Sequence, residues 1–186
     1  MSDAMAQDES FIIRQCLDGD TDQYAVLVDR YKSMAYNIAY RMLGDADAAN
    51  DMAQESFISA YAALKDFKQG SKFSSWLYRI VVNKCRDYLR SRRETVPVEE
   101  IAEIRAGDTM TPEQAMSSRQ TGDAIQEALS ALPAEYREVI ILKHIEELDY
   151  REIADILDVR LGALKVRAHR GREMLKKLLV GMGVTV

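Results

Sequence analysis

Apolar residues recur at steps of three and four along almost the whole chain, and no segment shows the sustained two-residue alternation of a β-strand. Between residues 22 and 43, for instance, Leu27, Tyr31 and Ile38 lie on one side of a helix. The polar residues 1–8 are predicted to be mobile. The pattern predicts helices over residues 9–17, 22–43, 46–66, 73–92, 112–131, from Pro133 onward, and two more beyond Asp149. The fold class is therefore predicted to be all-α.

Residue types that favour helix ends mark several of these boundaries. Gly44 is predicted to end the second helix, and Asp45 to cap the third with its carboxylate. The segment 111–114 places a Thr, a Pro and a Gln in a capping-box arrangement, and Asp149 with Glu152 repeats the device. These signals predict separate helices and not one continuous rod.

Helical periodicity is lost between residues 94 and 111, where acidic residues accumulate. From Glu94 to Glu127 the chain has eight acidic residues and two basic ones. This composition is typical of a linker. We therefore predict two small helical domains, residues 1–93 and 112–186, joined by a flexible acidic linker over residues 94–111.

The charge is distributed unevenly, which changes what the acidic composition implies. The formal net charge is −5, yet residues 79–93 contain six basic residues and one acidic, and residues 160–177 contain seven basic and one acidic. Two cationic islands on an acidic body indicate two separate contacts with nucleic acid, with other surfaces that repel it.

The segment from Asp149 to Gly171 has the pattern of a helix-turn-helix. Its second helix repeats apolar residues from Leu161 to Leu175 at helical spacing, so the cations between them face outward. Those outward residues are Lys165, Arg167, His169 and Arg170. Such a helix fits the DNA major groove, where Lys and Arg reach guanine edges or phosphates. The alternative interpretation is a solvated basic face on an ordinary helix.

The first domain offers a second candidate surface, formed by a polar loop and the basic helix that follows it. Asn83 and Asp87 are one helical turn apart and can read base edges, while nearby arginines can hold phosphates. Phe67 and Trp76 flank the loop. Aromatic rings beside a basic surface can stack on unpaired bases. For Trp76, which lies on the apolar stripe, core packing is the favoured interpretation.

Other chemistries find little support in the sequence. Cys16 and Cys85 are far apart, and His144 and His169 lack ligand partners at metal-binding spacing, so no disulfide, metal or cofactor site is predicted. No phosphate-cradling glycine loop is present, and we expect no enzymatic activity. Because no apolar stretch is long enough for a membrane span or a signal region, we expect a cytoplasmic protein without membrane insertion.

Three segments in series resemble the extracytoplasmic-function sigma factors, group 4 of the sigma-70 family. The promoter-melting and −10 recognition segment of that family resembles Phe73-Ser-Ser-Trp76-Leu-Tyr-Arg-Ile-Val-Val-Asn83-Lys-Cys-Arg-Asp-Tyr88-Leu-Arg. Its core-polymerase-binding helix resembles Leu43-Gly-Asp45-Ala-Asp-Ala-Ala-Asn-Asp51-Met-Ala-Gln54-Glu55-Ser-Phe57. Its −35-binding domain resembles Ala131-Leu-Pro133-Ala-Glu-Tyr-Arg137-Glu138 and the helix-turn-helix. The resemblance covers nearly all of residues 10–178.

The resemblance implies a promoter-specificity subunit with a region 2 domain and a region 4 domain. It would bind the RNA polymerase core, at the β′ clamp helices and the β flap, and direct initiation. Its DNA partner would be duplex at the −35 element and single-stranded at the −10 element. An anti-sigma factor would be a further partner, and the acidic linker would thread the RNA-exit path.

Carried over to matching positions, the family's contacts fall on three sets of residues. The polymerase contact is expected at Asp51, Gln54, Glu55 and Phe57. The −10 contact, including a loop at residues 66–72 that would hold a flipped base, is expected at Phe67, Lys68, Ser71, Lys72, Arg79, Asn83, Lys84, Arg86, Asp87 and Arg90. The −35 contact is expected at Lys165, Val166, Arg167, His169 and Arg170.

The chain departs from the family's usual pattern at three positions. Asp158 stands where Gly is common in the turn, and we expect it to adopt the same left-handed conformation. Ala163 lacks a hydroxyl that could cap the helix or bind phosphate. Val166 replaces a polar groove-facing residue, and a thymine methyl is its predicted contact.

The alternative from another class is a dimeric helix-turn-helix transcriptional regulator that works independently of core polymerase. A regulator of this kind would not explain the basic helix around Asn83.

The two-domain design also predicts that the basic faces are masked in the free chain. An anti-sigma factor would cover the basic faces, or the two domains would fold against each other.

Overall fold

The computed structural model describes residues 2–68, 70–95 and 116–184, and within these ranges it contains helices and no strand. The predicted all-α fold is confirmed. Eight α-helices follow one another: α1 (Ser2–Leu17), α2 (Asp22–Leu43), α3 (Ala46–Ala62), α4 (Phe73–Thr95), α5 (Met116–Ala131), α6 (Ala134–Ile140), α7 (Tyr150–Leu157) and α8 (Leu161–Gly181). A 3₁₀ turn, Leu64–Asp66, follows α3, and a π-helical segment, Ile141–Ile145, continues α6.

Three boundaries differ from the sequence prediction. Helix α1 begins at Ser2, so residues predicted to be mobile belong to a helix, consistent with their content of Ala, Met and Gln, which favour helix. Helix α3 ends at Ala62, and the 3₁₀ turn that follows buries Leu64. Helix α4 continues to Thr95. The capping box at residues 111–114 and the predicted linker beyond residue 95 lie outside the described residues, so the domain boundaries stay a prediction.

The caps predicted at Gly44, Asp45 and Asp149 are present, although the Glu152 side chain pairs with Lys72 and does not complete the capping box. Gly44 adopts a left-handed conformation (φ 72°), and its N–H donates to the Tyr40 carbonyl at 2.8 Å. The Asp45 carboxylate accepts from the Ala48 N–H at 2.9 Å. Asp149 accepts from the N–H groups of Arg151 and Glu152 at 2.7 and 2.9 Å. These bonds stop adjacent helices from merging and set the sharp turns between them.

The N-terminal domain is built on helices α2, α3 and α4, with α1 packed against α2. The side chains between them, among them Leu27, Ile38, Met42, Phe73 and Leu77, have no solvent exposure. Burying the apolar stripe of α4 leaves its cationic residues on the opposite, outer side. The predicted amphipathic pattern therefore positions the basic surface.

The C-terminal domain contains the predicted helix-turn-helix as α7 and α8. Ile153 and Leu164 are fully buried and Ala168 nearly so. Asp158 has φ 53° and ψ 52°, which confirms the left-handed turn expected there. A short polar side chain tolerates this backbone better than a branched one. The turn directs α8 away from α7, with its first turns at the surface.

Helix α8 crosses α6 closely at a glycine. Gly171 is buried, and a Cβ atom at this position would lie 3.1 Å from Ile140 Cγ1 and 3.3 Å from Tyr136 Cβ. A Cβ at Gly162, on the same helix, would meet nothing within 4 Å. The close approach of the two helices therefore depends on Gly171.

We expect Gly171→Val to lower the free energy of unfolding by about 1–3 kcal/mol, because the added methyl groups must displace α6. The measurement is urea denaturation followed by far-ultraviolet circular dichroism. Gly162→Val is the matched control and should change stability by less than about 0.5 kcal/mol. Equal effects of the two substitutions would show that the α6–α8 crossing does not require a glycine.

The two domains pack against each other, and their buried apolar residues form one contiguous cluster. Donors from the C-terminal domain also reach the end of α2. Arg137 donates to the Met42 carbonyl, and Gln126 Nε2 donates to the carbonyls of Tyr40 and Arg41 at 3.2 and 3.4 Å. These carbonyls lie in the last turn of α2, where backbone acceptors outnumber the helix's own donors, and the Arg137 cation matches the negative end of the helix dipole.

Candidate nucleic-acid interface

The outer face of α4 carries the residues predicted to contact the −10 strand. Arg79, Asn83, Asp87 and Arg90 are exposed, and Arg86 is half-buried. Two contacts order this face locally. Asn83 Oδ1 accepts from Arg86 Nη1 at 3.3 Å, and Asp87 Oδ1 accepts from Arg90 Nη2 at 2.9 Å. The face presents guanidinium groups beside one amide and one carboxylate.

The loop before α4 forms an aromatic corner at one end of this face. The Phe67 ring contacts the rings of Phe73 and Trp76 edge-on, at centroid distances of 5.9 and 5.3 Å. Phe73 is fully buried, whereas Phe67 and Trp76 are half-buried and pack against the core. Lys68, Ser71 and Lys72 are exposed residues beside this corner.

A cleft of about 620 Å³ opens between this corner and the C-terminal domain. One wall holds Phe67, Lys68 and Trp76, and the other holds Glu152, Asp155 and Ile156 of α7. The structure thus brings the predicted base-binding loop next to acidic residues of the helix-turn-helix domain. Nothing in the local pattern of either segment indicated this juxtaposition.

Ion pairs and hydrogen bonds cross the boundary at the same place. Lys72 Nζ lies 2.5 Å from Glu152 Oε1, and Arg79 Nη2 donates to the backbone carbonyl of Asp155. Arg86 makes a bidentate pair with Glu138, through Nε to Oε2 at 2.7 Å and Nη2 to Oε1 at 2.6 Å. Three cations predicted to contact DNA therefore have partners in the other domain.

The pKa values of these groups follow from the contacts. The hydrogen bond to Glu138 raises the pKa of Arg86, and the hydrogen bond to Glu152 raises the pKa of Lys72. Burial, and then the hydrogen bond to Glu146, raises the pKa of the Tyr78 hydroxyl. Burial raises the pKa of the Cys85 thiol to about 12. Because the nucleophilic form of cysteine is the thiolate, this buried thiol is suited to packing in the core and not to nucleophilic chemistry.

The −35 face of α8 is open in the same structure. Lys165, Val166, His169 and Arg170 are exposed, and Val166 retains 50% of its accessible surface. Arg167 is half-buried and pairs with Glu135 of α6 at 3.5 Å. The predicted residues are thus brought together on one helix, with Arg167 turned toward its own domain.

The predicted polymerase contact lies on α3. Asp51, Gln54 and Glu55 are exposed, whereas Phe57 is 7% exposed. Glu55 pairs with Lys84 of α4 at 3.2 Å. A residue predicted to bind polymerase therefore contacts a residue predicted to bind the −10 strand. Phe57 therefore lies below the surface and does not protrude from α3.

A groove of about 420 Å³ runs between α3 and α2. Besides Gln54 and Phe57, its lining includes Tyr36, Asn37 and Asn50. The α2 side of this groove was not predicted, because the resemblance to the family's polymerase-binding helix is carried by α3 alone. The exposed amide of Asn37, which lies between Tyr36 and Ile38 in the sequence, was the available signal.

Other kinds of site are not evident in the described ranges. Among residues 2–68, 70–95 and 116–184, no group of three or more His, Cys, Asp and Glu side chains could hold a metal ion. No helix in this part of the chain is long and apolar enough to cross a membrane.

The two cationic faces on a two-domain helical scaffold define a nucleic-acid-binding protein of the helix-turn-helix class. Residues 27–95 match the sigma-70 region 2 family, and residues 122–175 match the sigma-70 region 4 family. The chain is 41% identical over 178 residues to the ECF RNA polymerase sigma factor SigW of Bacillus subtilis (strain 168), covering 90% of this chain and 94% of that protein. It is 31% identical to the RNA polymerase sigma-H factor of Pseudomonas aeruginosa, covering 90% and 92%.

Solved structures agree with this relationship. CnrH, in complex with the cytosolic domain of CnrY, superposes with a TM-score of 0.68 at 27% identity, covering 92% of this chain and 97% of that one. The sigma factor RpoE of Bartonella quintana, in complex with the anti-sigma factor NepR, gives a TM-score of 0.68 at 25% identity, covering 84% and 96%. The chain belongs to the extracytoplasmic-function sigma factors of the sigma-70 family. Members of this family are non-enzymatic, promoter-specific initiation factors of RNA polymerase.

Proposed function

We propose that this chain recognises the −35 element as duplex through α8 and the −10 element as single strand through α4 and its preceding loop. The observation that carries the proposal most strongly is the pair of cationic faces, one in each family-matched domain. Each face has the chemistry that its DNA target requires. The exposed helix fits a major groove, and the aromatic corner beside guanidinium groups fits unstacked bases.

At the −35 element, the exposed tips of Lys165 and Arg170 reach guanine edges or phosphates. The Val166 side chain contacts a thymine methyl, since no polar group at that position can read a base edge. His169 faces the major groove with these residues, and Arg167 lies nearer the phosphates. The absence of a hydroxyl at Ala163 removes one phosphate contact.

At the −10 element, a base turned out of the stack enters the cleft beside Phe67 and Trp76. Asn83 and Asp87 read neighbouring base edges. The remaining members of this set hold the backbone or line the loop: Lys68, Ser71, Lys72, Arg79, Lys84, Arg86 and Arg90. Capture of an unpaired base offsets the cost of unstacking it, which is on the order of a few kcal/mol. Strand separation therefore needs no catalysis by this subunit.

The exposed edge of α3 contacts the polymerase clamp helices through Asp51, Gln54 and Glu55, with Phe57 supporting the groove floor. The C-terminal domain binds the β flap, and the acidic linker follows the RNA-exit path, where its charge resembles that of RNA. Because RNA polymerase is its partner, the protein acts in the bacterial cytoplasm.

An anti-sigma factor is a further proposed partner. CnrH has been captured with the cytosolic domain of CnrY, and the sigma factor RpoE of Bartonella quintana with the anti-sigma factor NepR. This chain exposes large apolar side chains on its N-terminal domain, including Phe11, Val26, Ile58 and Tyr61. Apolar surface of this kind is typical of sites that a protein partner covers.

Run-off transcription with purified core polymerase over a genomic library tests the proposal. We expect start sites that align on shared −35 and −10 sequences and depend on the added chain. The rival function, a dimeric helix-turn-helix regulator, predicts binding to fully duplex operator DNA without core polymerase. Equal binding to duplex and forked promoter DNA, unchanged by core, would favour the regulator.

The polymerase contact can be tested separately. We expect Asp51→Arg combined with Gln54→Arg to weaken binding to immobilised core polymerase by about ten-fold or more, because two long cationic side chains replace the carboxylate and the amide at the proposed contact. The control is Glu127→Arg, a charge reversal at an exposed position of α5 in the other domain. Unchanged binding by the double variant would remove α3 from the interface.

A further inference from the structure

The aromatic corner is supported by a tyrosine of α2 that lies outside the cleft. Phe73 is fully buried, and its ring contacts those of Phe67 and Trp76 at centroid distances of 5.9 and 5.6 Å. Phe67 and Trp76 line the cleft. The Tyr31 ring contacts Phe73 as well, at 5.5 Å, and is not among the lining residues. Phe73 therefore links the two rings that a base would meet to one ring that it would not meet.

The Tyr31 hydroxyl is held by helix α1. It donates to Glu9 Oε1, and the same carboxylate oxygen accepts from Arg30 Nη1 at 3.3 Å. The Glu9 side chain is only 13% exposed, so the hydrogen bond is largely shielded from water. Burial, and then the hydrogen bond to Glu9, raises the pKa of Tyr31. The phenol therefore stays a hydrogen-bond donor at neutral pH.

Helix α1 also contacts the turn that carries Phe67. It buries Ile12 and Ile13 in the core and packs on the 3₁₀ turn Leu64–Asp66. Phe67 follows this turn directly, and its N–H donates to the Leu64 carbonyl at 3.1 Å. The match to the region 2 family begins at residue 27, so α1 precedes the matched residues. Two routes thus connect α1 to the aromatic corner, the Tyr31 ring and the turn.

A corner with fixed rings binds a base more tightly than a loose one, because rings that become ordered only on binding lose conformational entropy at that moment. We propose that α1 is a positioning element for base capture. Glu9 fixes the Tyr31 ring, and Tyr31 fixes the Phe73 ring on which the corner packs. Glu9 and Tyr31 are positioning residues and do not touch the DNA. This inference rests on the proposed capture of a −10 base beside Phe67 and Trp76.

Tyr24 provides a matched comparison on the same helix. Its hydroxyl donates to the Phe57 carbonyl at 2.7 Å, and its ring contacts that of Tyr61 at 4.9 Å. Both tyrosines of α2 are half-buried, but the ring contact of Tyr24 is with α3 and not with the corner. Tyr31→Phe and Tyr24→Phe therefore remove the same hydroxyl from one helix, and only the first should loosen the corner.

Forked promoter DNA bound by holoenzyme tests the proposal. The fork is taken from a promoter mapped by run-off transcription, and further forks carry an abasic site at each single-stranded −10 position in turn. Wild-type holoenzyme should lose most affinity at the position whose base enters the corner. We expect Tyr31→Phe to bind the intact fork about three- to ten-fold more weakly than wild type, the range that one lost hydrogen bond produces. On the fork that lacks this base the two should bind equally, because no base remains to be positioned.

Variants of Glu9 test whether its effect passes through Tyr31. Glu9→Ala removes the acceptor and should match Tyr31→Phe, whereas Glu9→Gln keeps an acceptor oxygen and should stay close to wild type. The double variant of Glu9→Ala and Tyr31→Phe should be no weaker than either single variant, since both remove one interaction. Additive losses would overturn the linked role of Glu9. Tyr24→Phe should bind every fork like wild type.

The fluorescence of Trp76 reports on the corner directly, because the chain contains one tryptophan. In the free chain, Tyr31→Phe and Glu9→Ala should shift the emission to longer wavelength and increase quenching by acrylamide, since a looser corner admits water. Tyr24→Phe should leave both properties unchanged. Unchanged emission and quenching in Tyr31→Phe would overturn the proposal.

The set of forks separates this inference from the proposed −10 function. If wild-type holoenzyme binds the intact and abasic forks equally, base capture at the −10 element fails. If wild type discriminates between them and Tyr31→Phe does so to the same extent, the positioning role is overturned and the −10 function stands. An equal loss by Tyr31→Phe on every fork would also overturn the positioning role, because a general weakening of the fold does not depend on the base.

Discussion

Simultaneous replacement of Lys165 and Arg170 by alanine is expected to lower transcription from a promoter with a −35 element by roughly a hundred-fold. Both side chains are exposed on the first half of α8. A well-formed side-chain contact to a base is worth about 1–3 kcal/mol. A loss of about 1.4 kcal/mol at each position is ten-fold in affinity, and two separate contacts add. The measurement is run-off transcription with purified core polymerase at limiting concentration of the chain.

The matched control removes the same charge from the same helix. Lys176→Ala combined with Lys177→Ala changes two exposed lysines that lie on average about 14 Å farther along α8, at a rise of about 1.5 Å per residue. A general attraction to DNA would make the two double variants equivalent, and their effects would then fade together in higher salt. Equal losses in both would contradict a specific role for the beginning of α8.

Arg137→Leu is expected to lower the free energy of unfolding by about 3–5 kcal/mol, since the substitution leaves several carbonyl groups without their donor. The Arg137 side chain is 8% exposed. Its guanidinium donates to the carbonyls of Ser130 and Leu132 at 2.6 and 2.9 Å and to the carbonyl of Met42 in the other domain. Leucine fills part of the space but satisfies none of these acceptors.

Urea denaturation of the whole chain measures this effect. Arg137→Lys keeps the charge but lacks the planar fork, so it should fall between wild type and the leucine variant. Arg151→Leu, at an exposed position of α7, is the control and should change stability by less than about 0.5 kcal/mol. A loss below about 1 kcal/mol in Arg137→Leu would mean that water replaces the guanidinium at these carbonyls.

The residues predicted to contact DNA differ in whether they must first break a contact within the protein. Lys165, Val166 and Arg170 need no rearrangement to meet a major groove, whereas Arg86 must first leave Glu138. Substitutions on α8 should therefore act on binding directly.

Local signals were sufficient for the helices and for most of their ends. The left-handed turn at Asp158 and the caps at Asp45 and Asp149 depend on a few consecutive residues, which is why short motifs predict them. The start of α1 and the 3₁₀ turn after α3 were harder to predict. Burial of Leu64 decides the latter, and burial depends on what lies across the core.

Helical periodicity determined by itself which faces of the chain are apolar and which are basic, because that pattern needs only the 3.6-residue repeat. It determined the all-α class, the helix-turn-helix and the outward cations of α4 and α8. Only the tertiary structure decided that Arg86 meets Glu138 and that Arg137 reaches the end of α2. Residues far apart in the sequence become neighbours through the packing of whole domains, and the repeat of a single helix carries no information about its partner.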